Sequence, residues 1–216
     1  MRAQRDEAAR LDRVLGTLER VYPDVRPSLN HRSPWELLVA TILSAQCSDA
    51  QVNRVTPELF RRYPGPEALA GARVEDVEAL IRSIGLYRGK ARSLVGTARQ
   101  VVERHGGQVP GRREALEALP GVGRKTASVV LSQAFGVPAF PVDTHVGRVC
   151  FRLGFAPRPD PLEVERRVTG ILAPERWGLA HLLLIRHGRV TCSARTPRCA
   201  ECPVRALCPW PDRGEG

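Results

Sequence analysis

"EALEALPGVGRKTASVVL", residues 114–131, reads as helix, tight turn, helix. Leu116 and Leu119 lie at the apolar end of the first helix, Pro120-Gly121 stops it, and Gly123 leaves the backbone open to an approaching ligand. The turn feeds the start of the next helix, where unpaired N–H groups and the positive end of the helix dipole point outward. Gly121, Val122, Gly123 and Arg124 can therefore hold a phosphate by backbone and charge, without reading a base. An ordinary αα turn uses glycine just as readily, so the residue after the turn decides more than the glycines do. Of 33 Lys+Arg in the chain, only Lys90 and Lys125 are lysine. Arg124 already supplies charge at the turn. Lys125 adds what guanidinium lacks, an amine that can lose its proton and attack carbon, a sugar C1′ included.

Downstream, "PVDTH" places Asp143 in a proline-bracketed, mostly uncharged segment after an apolar helix. A carboxylate there is costly without a partner or a task. It can cap the helix that starts at Thr144, and it can also stabilise a cationic sugar opposite an amine.

Apolar residues recur at helical spacing along most of the chain. Ala8, Leu11, Val14, Leu15, Leu18 and Val21 mark one face of a helix ended by Tyr22-Pro23. "SPWELLVATILSAQ" opens on a Ser-Pro start signal and is apolar nearly all round, as a central helix is. Helices are predicted at "DAQVNRVTPELFRRYP", "VEDVEALIRSIG", "GKARSLVGTARQVVERHGG", "RREALEALPG" and "GRKTASVVLSQAFG", then near "PLEVERRVTGILA" and "ERWGLAHLLLIRHGRV". No segment alternates as a strand does, so the chain is predicted all-α with short connections.

With 216 residues, 43% of them hydrophobic, the chain has material for one large domain or two small ones. A net charge of +10 favours a polyanionic partner, and nucleic acid is the commonest of these. No apolar run approaches the roughly 18 residues of a membrane span, and the charged start lacks a signal-peptide stretch, so a cytoplasmic protein is expected, nucleoid-associated if bacterial. Structural disulfides are then disfavoured. Cys47 and Cys150 read as small buried hydrophobes. Cys192, Cys199, Cys202 and Cys208 are separated by six, two and five residues, a run that suits a cubane iron–sulfur cluster at least as well as zinc. Arg195 and Arg198 lie in the loop between the first two of these and can present cations to phosphates.

Taken in order, "LLVATILSAQCSDAQVN", "IGLYRGKA", "LPGVGRKTA", "VDTHVGRV" and the cysteine run resemble the endonuclease III branch of helix-hairpin-helix DNA glycosylases, across nearly the whole chain. The resemblance implies a two-domain fold with a DNA cleft between the domains. Residues 27–137 would form a six-helix barrel with the hairpin, and 1–26 with 138–216 would join the N-terminal helix to a cluster domain. It implies a monomer in which Lys125 is the nucleophile that expels a damaged base and forms a Schiff base, Asp143 assists, and the four cysteines hold a [4Fe–4S] cluster. Gln46 would fill the space left by a flipped base and Leu86 would wedge the opposite strand of double-stranded DNA. Tyr87, Arg88, Lys90, His145, Arg195 and Arg198 would join the hairpin residues in contacting that DNA. Extrusion is required because C1′ is closed to an amine within the stack. Cys47-Ser48 and Arg88-Gly89 stand where the family more usually has Ala-Thr and Asn-Ser. A monofunctional adenine glycosylase of the same superfamily typically lacks the lysine, and a non-catalytic binding module would need neither Lys125 nor Asp143.

Overall fold

Residues 2–210 are described by the computed structural model, and among them every regular element is helical. The all-α expectation is borne out. Of these residues, those up to Arg26 and from Pro138 onward form one compact unit, and Pro27–Val137 form another.

In the first unit, α1 (Arg2–Val21) contributes Leu11, Val14, Leu15 and Leu18, each fully buried. The 3–4 residue spacing puts all four on one stripe, and that stripe is the reason a helix from the start of the chain joins a core built from its end. Val21, at the last turn, remains 46% exposed. The shared core includes Phe140, Val146, Val149, Cys150, Phe155, Val164 and Leu184. Polar contacts fix the docking: Arg10 donates to the carbonyls of Leu153 (2.6 Å) and Leu207 (3.0 Å) and lies 4.1 Å above the Phe155 ring. Arg176 reaches Asp12 at 2.8 Å and Glu19 at 3.1 Å.

The second unit begins with α2 (Pro34–Ser44), where Ser33 accepts a hydrogen bond from Glu36 N–H at 3.2 Å and Pro34 occupies the first turn. Leu37, Leu38, Val39, Ala40 and Leu43 are fully buried, so α2 is apolar on nearly every side because it is enclosed on nearly every side. Around it come α3 (Asp49–Arg62), α4 (Pro66–Ala70), α5 (Val74–Leu80), α6 (Tyr87–His105), α7 (Arg113–Glu117) and α8 (Arg124–Ala134). The unit has seven helical segments rather than six. The added one, α4, is five residues long with Pro66 at its start, too short to show a 3.6-residue period.

Back in the first unit, α9 (Thr144–Arg152), α10 (Pro161–Thr169) and α11 (Trp177–Val190) complete the core around α1, and two 3₁₀ turns, Cys199–Glu201 and Arg205–Leu207, carry the cysteine segment. No described helix is long and apolar enough to cross a membrane.

Because Leu15 is fully buried in the core that joins α1 to α9 and α11, Leu15→Ala removes apolar contact and leaves a cavity. The expected loss is about 2–5 kcal/mol of stability, measured as a lower urea midpoint at unchanged slope. A change under about 0.5 kcal/mol, the range of surface substitutions, would mean that α1 is not part of the cooperative core.

Candidate active site

The turn between α7 and α8 is anchored from below and open above. Leu116, Leu119 and Val122 are buried, while Gly121, Gly123, Arg124 and Lys125 are exposed. Gly121 has φ +75°, and a Cβ on it would lie 2.8 Å from the Ser93 Cβ of α6. Both the conformation and the close approach therefore demand glycine. Thr97 of α6 donates to the Pro120 carbonyl at 2.7 Å, and Arg113 donates to Ser128 at 3.0 Å, tying α7 to α8. Gly123 caps α8 with no side-chain bond to its first N–H groups. Those donors and the exposed Lys125, second residue of α8, form a surface suited to an anion and to a nucleophilic amine.

Gln46 and Leu86 are the only non-glycine residues with positive φ among those described, at 52° and 60°. Such backbone costs roughly 1–3 kcal/mol per residue and persists only where its surroundings impose it. Both side chains are exposed, Leu86 to 66%. The two loops are neighbours, since a Cβ on Gly85 would stand 3.6 Å from the Gln46 carbonyl. Gln51 of α3 donates to Ser83 at 2.7 Å and holds the approach to the second loop. Beside Leu86, Tyr87 is half-buried, and Arg88 is exposed with its guanidinium 5.4 Å from the Tyr87 ring.

Lys90 requires a correction. Instead of facing nucleic acid it is only 7% exposed, and its Nζ donates to the carbonyls of Leu43 (2.8 Å) and Ala45 (2.6 Å) at the end of α2. Burial pushes its ammonium below the usual lysine range, with Cys47 opposing the shift. Helical spacing carried this signal, because Lys90 shares a stripe with the buried Leu94, Thr97 and Val101. Cys47 is half-buried rather than buried, since it lies in the Gln46 loop and not on a helix face. Cys150 is fully buried, and desolvation pushes its thiol up to about 12.

In the other unit, Asp143 caps α9. Its Oδ1 accepts from the N–H groups of His145 (2.9 Å) and Val146 (2.8 Å), so both cap bonds fall on one oxygen and Oδ2 is left out of the cap. Capping and a second role are thus compatible in one carboxylate. His145 is half-buried and its Nδ1 lies 3.2 Å from Arg148 Nη2. A guanidinium only donates, so that ring nitrogen must accept and the imidazole is neutral. Burial lowers the His145 pKa, Arg148 and Arg189 lower it further, and Asp143 opposes them. Arg148 also donates to the carbonyls of Gly188 (2.9 Å) and Cys192 (3.1 Å), fastening α9 to the end of α11. Nothing in the sequence pattern singled out this arginine.

Cys192, Cys199, Cys202 and Cys208 line one pocket together with Arg152, His187, Arg198 and Arg205. Among the described residues no three His, Cys, Asp or Glu side chains converge as a single metal ion requires. Arg152, 8% exposed, donates to the carbonyls of Ser193 (2.6 Å) and Ala194 (2.9 Å) and approaches Cys192 Sγ at 3.4 Å. Burial raises the thiols of Cys202 and Cys208. Arg195 is exposed, whereas Arg198 donates to the Val190 carbonyl and faces Glu201 at 3.6 Å, closing the loop.

Residues 39–174 match the family described as HhH-GPD superfamily base excision DNA repair protein. The chain is 49% identical over 189 residues to endonuclease III of Bacillus subtilis, covering 87% of this chain and 86% of that protein. It is 45% identical over 210 residues to endonuclease III of Synechocystis sp., covering 97% and 96%. Its fold is similar, with a TM-score of 0.90 and 45% identity over 95% of this chain and 97% of the other, to that of a trapped endonuclease III–DNA covalent intermediate.

The neutral, half-buried His145 makes stability depend on pH. Its folded-state pKa lies below the ordinary 6.5, so the unfolded chain takes up its proton first on acidification. The contribution is complete above 6.5 and is lost as pH falls from there through the folded-state value. Urea midpoints measured across this window are expected to fall less steeply for His145→Gln than for the wild type; parallel curves would remove His145 as the cause.

Proposed function

Because the chain belongs to the endonuclease III family within the HhH-GPD superfamily of base excision DNA repair proteins, we propose that it is a DNA glycosylase and abasic-site lyase in which Lys125 carries both activities. The observation that bears most weight is an exposed lysine at the open start of α8, in a chain that otherwise writes its surface cations as arginine. The phosphate beside the damaged nucleotide is held by the N–H groups of the Gly121–Arg124 turn. The nucleotide is turned out of the helix, Gln46 fills the space it leaves, and Leu86 enters the opposite strand.

The neutral Nζ of Lys125 attacks C1′ and a C1′–N bond forms. The bond from C1′ to the base breaks, and the base leaves with the electron pair and takes a proton. Asp143 stabilises positive charge on the sugar as that bond lengthens, through the carboxylate oxygen not engaged in capping. Opening of the sugar ring converts the adduct to an imine. The imine makes a C2′ proton acidic; its removal forms the C2′–C3′ double bond and expels the 3′ phosphate. One amine thereby performs glycosylase and lyase steps. We place oxidised pyrimidines in double-stranded DNA as the substrates.

The residues present fit a [4Fe–4S] cluster. All four cysteines line one pocket, and the buried guanidinium of Arg152 lies 3.4 Å from Cys192 Sγ, where it offsets thiolate charge. When bound, such a cluster crosslinks the segment that follows α11 and supplies no step of the reaction. Cys192, Cys199, Cys202 and Cys208 would hold it.

Borohydride trapping on a duplex with an abasic site tests the nucleophile. Wild type is expected to form a covalent protein–DNA adduct and Lys125→Arg to bind with retained charge and form none; on a duplex with an oxidised pyrimidine, where the base must leave, Asp143→Asn is expected to form the adduct at least about 100-fold more slowly than wild type. An adduct in Lys125→Arg would locate the nucleophile elsewhere. Separately, the purified protein is expected to contain iron and acid-labile sulfide and to absorb near ~400 nm, the signature of a cluster. Colourless protein containing zinc would overturn the cofactor assignment.

A further inference from the structure

The two lysines of this chain lie where arginine cannot substitute, and only one of them is explained by nucleophilicity. Lys90 is buried in the first turn of α6, and its ammonium reaches back to the last carbonyls of α2. Two neighbouring carbonyls have other partners: Ser44 Oγ donates to the Thr41 carbonyl at 2.8 Å and Cys47 N–H donates to the Ser44 carbonyl at 3.1 Å. Lys90 takes the carbonyls on either side of Ser44, and Ala45, one of the two, immediately precedes Gln46. The backbone N–H of Lys90 bonds the Leu86 carbonyl at 3.1 Å. Lys90 lies one turn into the helix that Leu86 caps, so its side chain ties the start of α6, beside one left-handed position, to Ala45, beside the other.

We propose that Lys90 is a positioning residue that sets the two insertion loops in register with each other and with the hairpin. Its side chain acts through the Leu43 and Ala45 carbonyls rather than through DNA. The same helix continues to the turn, where Ser93 lies against Gly121 and Thr97 bonds Pro120. A single rigid element thus spaces the residues that enter the duplex from the residues that hold its backbone. A compact ammonium with three donors can meet two carbonyls in so closed a site, whereas a planar guanidinium needs more room and a fixed fork. This explains lysine in a chain that contains 33 Lys+Arg, only two of them lysine. The assignment rests on the glycosylase reading, because register between these loops matters only if both enter DNA.

The test compares two substrates of the full-length, cluster-containing protein by rate of borohydride trapping. One is a duplex carrying an oxidised pyrimidine, which demands insertion of both loops. The other is a single-stranded oligonucleotide with an abasic site, which needs Lys125 and the hairpin but no insertion of either loop. Lys90→Met is expected to slow the duplex reaction by about 10- to 100-fold, as small misplacements of positioning groups do. The single-stranded reaction is expected to change by less than about threefold. Lys90→Arg, which keeps the charge and covers the case in which Lys90→Met does not fold, is expected to show the same selective loss. In a double-mutant cycle with Gln46→Ala, the two losses are expected not to add. Equal slowing on both substrates, no slowing on the duplex, or additive losses would overturn the proposal. A wild-type protein that traps neither substrate would overturn the glycosylase reading itself and this assignment with it, an outcome distinct from a defect confined to Lys90 variants.

Discussion

The buried face of α6 is the constraint on which the 27–137 unit depends. Ala91, Leu94, Ala98 and Val101 are fully buried along it, and polar groups on the same stripe meet backbone that no regular helix bond serves. Lys90 takes the carbonyls at the end of α2, and Thr97 takes that of Pro120 in the hairpin. A buried carbonyl without a donor costs about 1–3 kcal/mol, so these bonds determine where the loops can go as well as how stably they stay there. Gln46 directly follows the held Ala45 and Leu86 caps α6, and neither residue prefers the positive φ it adopts there.

Helix beginnings differ in how they are closed. The first turns of α2, α3, α9 and α10 are closed by the side chains of Ser33, Ser48, Asp143 and Asp160. The start of α8 is Gly123, which has no side chain to offer, and the residues around it are exposed. No side chain caps that helix start, as at α4 and α7, but at α8 it adjoins an exposed lysine. Asp143 closes α9 with cap bonds that occupy a single oxygen.

Around the cysteines, arginine has a structural role more than a steering one. Arg148 and Arg152 donate to four carbonyls between Gly188 and Ala194, linking α9 to the segment after α11. A high net charge of +10 therefore overstates the cations facing solvent, because part of it is committed to backbone. The contrast with Arg195, which is exposed in the same loop, shows that composition alone does not separate the two uses.

Much of this was legible in the chain. Helical spacing of Leu11, Val14, Leu15 and Leu18 identified the core face of α1, the Pro-Gly-Val-Gly turn identified the hairpin, and the rarity of lysine directed attention to Lys125. These are local signals, written in apolar period, turn chemistry and side-chain reactivity, and they need no knowledge of what packs where. The five-residue α4 was not legible because its length carries no period. Nor was the half-exposure of Cys47 or the inward course of Lys90, although the stripe shared with Leu94 pointed to the latter. The Lys90 to Leu43 bond spans 47 residues, and a donor meets a carbonyl at that separation only after α2 and α6 have packed. The sequence by itself determined the helices, the hairpin and the chemical character of the nucleophile, because each depends on neighbours in the chain. Only the tertiary structure decided which lysine faces solvent and which holds the loops, because that depends on which helix ends the packed core brings within reach.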